Sequence, residues 1–95
     1  MDTLQSMKVF VRVARRSGFA AAGRDLRMSP AAVTKHIAAL EARVDARLFD
    51  RTTRSVGLTE VGRMYLERCL ECLQAFEDAD AFVGTLGHSP AGLLR

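Results

Sequence analysis

Along the first sixteen residues the apolar positions Leu4, Met7, Val11 and Ala14 recur at helical spacing, with Phe10 beside them, which predicts a first helix. Asp2 and Thr3 are both good N-cap residues, and Asp2 with Gln5 three positions later fits a capping box. Ser17-Gly18 closes the helix, with Gly18 the natural residue for a left-handed C-cap. A short second helix is expected over Phe19–Leu26, with Phe19, Ala22 and Leu26 on one face. Its small pair Ala22-Gly23 lets another helix cross closely, and it gives way at Arg27-Met28.

The third helix has the clearest start. Ser29 caps it and Pro30 occupies the first helical position, where a missing N–H costs nothing. Val33, Ile37, Leu40 and Val44 form its buried stripe. The opposite face carries Ala31, Lys35, Ala38 and Ala42, with Thr34 on the flank. Three alanines and one lysine make a slim surface, unusual for a face meant only for solvent. Residues 48–58 then run apolar, polar and basic, and apolar again, the pattern of a small hairpin with a basic tip.

From the N-cap Thr59 a long helix extends to about Leu86. Tyr65, Cys69, Cys72, Phe76, Ala79 and Val83 alternate in steps of four and three, a seam of the coiled-coil kind. Leu66, Leu70 and Leu73 form a second stripe. One stripe packs on the chain's own core, and the other needs a partner. Gly84 and Gly87 weaken the helix end, and residues 88–92 read as a linker. The expected fold is therefore mainly α: a winged helix-turn-helix, three helices plus a small β-hairpin wing, followed by a long dimerisation helix. The division is 1–58 for the winged helix-turn-helix, 59–87 for the linker helix, and 88–95 for a hinge.

Charge sharpens this picture. Residues 1–58 carry eleven cations against five carboxylates, a balance of +6, and residues 59–95 carry three against six, −3. A basic front and an acidic rear suggest that one end meets a polyanion. No apolar run reaches the length of a membrane span, and Met1-Asp2-Thr3-Leu4 lacks the basic and apolar regions of a signal peptide. A cytoplasmic protein with reduced cysteines is expected.

Two helices joined by a tight turn, then a basic hairpin, suit DNA, because the major groove admits one slim helix and a helix N-terminus favours a phosphate. Phe10-Val11 with Val13-Ala14, Ser17-Gly18-Phe19, Ala22, Leu26, Ser29, Ala32-Val33-Thr34, Ile37, Leu40-Glu41, Leu48-Phe49, Arg51, Arg54 and Leu58-Thr59 with Gly62 resemble, in order and spacing, the signature of LysR-type bacterial transcription regulators. The similarity covers about residues 3–86. It implies base contact around Pro30, Ala31, Thr34 and Lys35, phosphate contact around Ser29 and His36, and wing contact by Arg51 and Arg54. It also implies a homodimer through the long helices, with a tetramer left open at full length, and a small-molecule effector only on a following domain. No cofactor or metal is implied. The chain departs from the family pattern at Gly18-Phe19-Ala20, where Ser-Phe-Thr is common, at Ala22-Gly23 in place of Ala-Ala, and at Asp45 in place of Gly.

Each of these residues also has a plainer role. Thr34 could bond back to its own helix, His36 could be a half-buried packing residue, and Arg51 could pair with a nearby carboxylate. Cys69 and Cys72 form a C-x-x-C, which raises a metal- or thiol-sensing alternative. Two thiols are too few for a closed zinc site, and their place on the apolar seam favours packing. No arrangement of nucleophile, base and orienting acid, and no phosphate-cradling glycine loop, points to an enzyme.

Overall fold

The computed structural model describes residues 2–51 and 56–87. The elements follow in the order α1 Thr3–Arg16, α2 Phe19–Leu26, α3 Pro30–Val44, β1 Phe49–Arg51, β2 Val56–Leu58 and α4 Glu60–Gly87. The strands form one antiparallel pair, with Phe49 opposite Leu58 and Arg51 opposite Val56.

Local chemistry sets the helix ends. The Asp2 carboxylate accepts the Leu4 and Gln5 backbone N–H groups at 3.0 and 3.4 Å. Ser29 Oγ accepts the Ala32 N–H at 3.1 Å, and Pro30 stands at the first position of α3. Thr59 Oγ1 accepts the Gly62 N–H at 2.9 Å and donates to the Arg47 carbonyl at 2.7 Å, which ties the start of α4 to the approach of β1. The end of α1 corrects the expectation placed on glycine. Ser17 takes the left-handed conformation, at φ 53°, while Gly18 is extended at φ −174°. Arg27 and Asp45 close α2 and α3 in the same left-handed way, so three helices end on residues that adopt it less readily than glycine.

The core is small and centred on Phe10. Its ring lies 5.4 Å from Phe49 in an edge-on arrangement and 5.6 Å from Tyr65, and Phe49 in turn meets Phe19 at 5.9 Å. This aromatic series links α2, β1, α1 and α4, and each such contact adds about 0.5–1.5 kcal/mol beyond its buried area. Val9, Val13, Val33, Ile37, Leu40 and Leu48 complete the buried set. Gly23 and Gly62 are required by close approach. A Cβ on Gly23 would stand 2.6 Å from the Met28 carbonyl oxygen, and one on Gly62 would stand 2.1 Å from that of Leu48. The small Ala22-Gly23 pair thus serves the turn into α3.

The seam expected along α4 divides. Cys69 is wholly buried in the chain's own core and has no surface to give a dimer face, and the partly buried Tyr65 packs against that core. Leu66 and Leu73 pack there as well. Spacing shows that a stripe is covered but not by what, and at Cys69 the cover is the chain's own core rather than a second copy. Cys72, Phe76, Ala79 and Val83 remain exposed, Phe76 by 45% and Val83 by 55%.

Candidate nucleic-acid interface

Helix α3 is held from beneath. Val33, Ile37 and Leu40 are buried, and Val44 packs at their end, so the opposite face points outward by geometry. That face consists of Ala31, Lys35, Ala38 and Ala42, all exposed, with Thr34 beside them. Lys35 makes no ion pair or hydrogen bond among the described residues. Ser29 and Pro30 are exposed at the helix start, where α3 presents backbone N–H groups.

Two candidates are tied to the fold. Thr34 Oγ1 donates to the Pro30 carbonyl at 2.9 Å, the back-bond to its own helix. Its hydroxyl is engaged, though the residue stays exposed. His36 is half-buried, with Nδ1 2.8 Å from Ser6 Oγ on α1. Ser6 Oγ also lies 3.1 Å from the Asp2 carbonyl, to which it donates. A hydroxyl has one proton, so with that proton on the Asp2 carbonyl, Nδ1 is the donor of the Ser6–His36 bond. The packing role fits His36 better than a phosphate contact.

The wing root is built by contacts that periodicity does not reveal. Glu41, near the end of α3, accepts the Leu48 N–H at 2.8 Å. Arg47 donates to the Phe49 carbonyl at 3.3 Å. Arg51 takes no carboxylate partner among the described residues, and its guanidinium lies over the Phe19 ring, 4.6 Å from the centroid. This cation–π contact joins the hairpin to the start of α2 and holds an exposed cation beside that helix end. The aromatic at the entry of α2 was the available signal for it. Arg54 lies outside the described residues. Ala20 is exposed in the first turn of α2 and brings no hydroxyl there.

The basic front also divides. Arg16 Nη1 donates to both carboxylate oxygens of Asp25 at 3.0 Å, and Arg12 approaches the same group at 3.6 Å. Lys8 and Arg15 lie about 160° and 180° around α1 from Ser6, which faces α3, at about 100° per residue. Lys8 and Arg15 therefore do not share the exposed face of α3.

The two thiols have different surroundings, which does not favour a shared ligand site. Burial pushes Cys69 up to about 11, so it stays protonated at neutral pH, and Cys72 is exposed. Among the described residues no group of three or more metal-ligating side chains occurs.

This arrangement has known counterparts. Residues 4–63 match the model of the bacterial regulatory helix-turn-helix proteins, lysR family. The chain belongs to the LysR family. It is 36% identical over 95 residues to the HTH-type transcriptional activator AaeR of Escherichia coli (strain K12), covering all of this chain and 31% of that protein. It is 40% identical over 94 residues to an HTH-type transcriptional regulator of Xanthomonas campestris, covering 99% of this chain and 26% of that protein. The chain thus spans about a third or less of these LysR relatives. In three dimensions it is similar to the protein in the crystal structure of the CbnR_DBD–DNA complex, with a TM-score of 0.86 at 27% identity over 93% of this chain and all of that one. The family is one of regulators rather than enzymes, and among the described residues no helix is long and apolar enough to cross a membrane.

Proposed function

We propose that this chain is the double-stranded-DNA-binding head of a LysR-type transcription regulator, with α3 in the major groove and the hairpin on the adjoining backbone or minor groove. The observation that carries this reading is the outward face of α3. Small side chains at Ala31, Ala38 and Ala42 surround Lys35, and nothing among the described residues neutralises it. Lys35 donates to guanine O6 or N7, and the exposed Thr34 methyl suits a thymine methyl. Ser29, Pro30 and Ala31 bring the N-terminus of α3 to a phosphate, and Arg51 and Arg54 follow the backbone from the wing. His36 supports α3 from behind.

In this reading residues 1–58 read the DNA, 59–87 link and pair two copies, and 88–95 form a hinge to an effector domain. The pairing surface is Cys72, Phe76, Ala79 and Val83, with Phe82, itself 63% exposed, beside them. An exposed apolar row of this kind on one helix is the expected face of a helix–helix interface. The protein acts in the cytoplasm on promoter DNA. The relative described as a CbnR_DBD–DNA complex supports the DNA partner. The test is binding to randomised duplexes, followed by titration of the selected site at rising salt. Release of several counterions per head predicts an affinity that falls by orders of magnitude between low and moderately high salt. No enrichment of any duplex, or salt-independent binding, contradicts the proposal.

A further inference from the structure

Strand β1 meets the start of α2 twice, and both contacts fall on one ring. Side chains two apart on a strand point to the same face, so Phe49 and Arg51 share a side of β1. Both meet Phe19, the first residue of α2. The Phe49 ring lies 5.9 Å from the Phe19 ring, edge-on, and the Arg51 guanidinium lies over the Phe19 ring at 4.6 Å from its centroid. Phe49 is buried, Phe19 is half-buried and Arg51 is exposed, so Phe19 carries the core outward to the cation. Arg51 is the last residue of β1, opposite Val56, and stands immediately before residues 52–55. It makes no ion pair among the described residues.

A cation over an aromatic face at an exposed site adds little to folding stability. What the contact does is order a long side chain. Arginine has many rotamers, and fixing one of them opposes binding through lost entropy. Over Phe19 that ordering is done within the folded chain. The guanidinium is planar and donates from its edges, so a ring against its face leaves those N–H groups able to meet a phosphate in bidentate fashion. We propose that Phe19 is a positioning residue for DNA binding, holding Arg51 in the orientation in which it takes a phosphate. The inference rests on the DNA reading above and adds to it a residue whose effect on affinity passes through Arg51.

The test is a double-mutant cycle on duplex affinity. Wild type, Phe19→Leu, Arg51→Gln and the double variant are each titrated, at fixed salt, against the duplex that the wild-type chain selects. Phe19→Leu keeps an apolar side chain and removes the ring. It is expected to weaken binding about threefold to fivefold with Arg51 present, and by less than about twofold in the Arg51→Gln background. Phe19→Tyr keeps the ring and should bind as wild type does. Equal loss from Phe19→Leu in both backgrounds, or loss in neither, overturns the proposal, because a ring that serves only the core does not distinguish them. Proton NMR of the free wild-type chain gives a second reading that needs no substitution. The ring current of Phe19 should hold the Arg51 side-chain protons upfield of their ordinary positions, and ordinary positions there would overturn the proposal even if Phe19→Leu did not fold. A wild-type chain that selects no duplex fails the DNA reading and this inference with it, whereas a chain that binds without coupling between Phe19 and Arg51 fails this inference alone.

Discussion

The two halves of α4 both carry apolar side chains at helical spacing, and their surroundings differ. From Glu60 to Leu73 one side of the helix belongs to the chain's own core: Gly62 and Cys69 are buried, and Tyr65, Leu66 and Leu73 pack against the cluster, while Val61, Met64, Leu70 and Cys72 stay exposed. From Gln74 to Thr85 every residue is exposed, including Phe76, Phe82 and Val83. The front half is a wall of the winged helix domain, and the rear half leaves the core, with Lys8 of α1 over the Phe76 ring, 5.9 Å from the centroid, and its apolar side chains exposed. One helix thus fixes the head and offers a contact, and a substitution should have a different effect on each side of the divide.

The largest contrast lies between two glycines. Gly62→Ala places a Cβ 2.1 Å from the Leu48 carbonyl oxygen, a backbone atom that cannot step aside cheaply. Overpacking against backbone of this kind costs about 3 kcal/mol or more, so thermal unfolding should show a chain that is unfolded or melts many degrees lower. Gly84→Ala meets nothing within 4 Å. It should leave the fold intact and raise stability by about 0.5–1 kcal/mol through helix propensity. Equal behaviour of the two variants would erase the division of α4.

A second contrast concerns association. Phe76→Asp places a charge on the exposed rear face, where the monomer tolerates it and a paired seam does not. Burying it unpaired in an interface costs several kcal/mol, so light scattering should report a monomer with an unchanged helix signal. A variant that remains dimeric moves the interface off this face.

The thiols supply the third contrast. Cys72→Ser, at an exposed site, should alter the stability of a monomeric background by no more than about 0.5 kcal/mol. Cys69→Ala removes a buried side chain and should cost about 1–2 kcal/mol. Burial holds Cys69 at about 11, above its ordinary value of 9.0. A raised pKa stabilises the fold below the unfolded value, and that contribution is lost as pH climbs through the folded value. Stability should therefore decline between pH 9 and about 11, and the Cys69→Ala background should lose less over that window. A pH-independent difference would show that the buried thiol is not the titrating group.

Much of this was legible from residue order. Helical spacing, caps at Asp2, Ser29 and Thr59, and the apolar–basic–apolar run at 48–58 led to the observed elements almost residue for residue. What escaped were facts of contact rather than of period. Ser17 rather than Gly18 takes the left-handed cap because the choice depends on how the chain must turn into α2. Tyr65 and Cys69 belong to the core because α1 happens to cross α4 there, which no stripe announces. The stacking of Arg51 on Phe19 joins residues 32 positions apart in the chain. The charge count also merged two populations, since Lys8 and Arg15 lie away from α3 while Lys35 lies upon it.

The central claim is that the outward face of α3 reads bases. Its most direct test is titration of wild-type and Lys35→Ala protein against the selected duplex, its single-base variants and a scrambled duplex, at fixed salt. The account predicts that Lys35→Ala loses about 1–3 kcal/mol on the selected site, becomes indifferent to one base position in each half-site, and changes far less on the scrambled duplex. An equal loss on every duplex, with base preference intact, would contradict it and leave Lys35 as a phosphate contact.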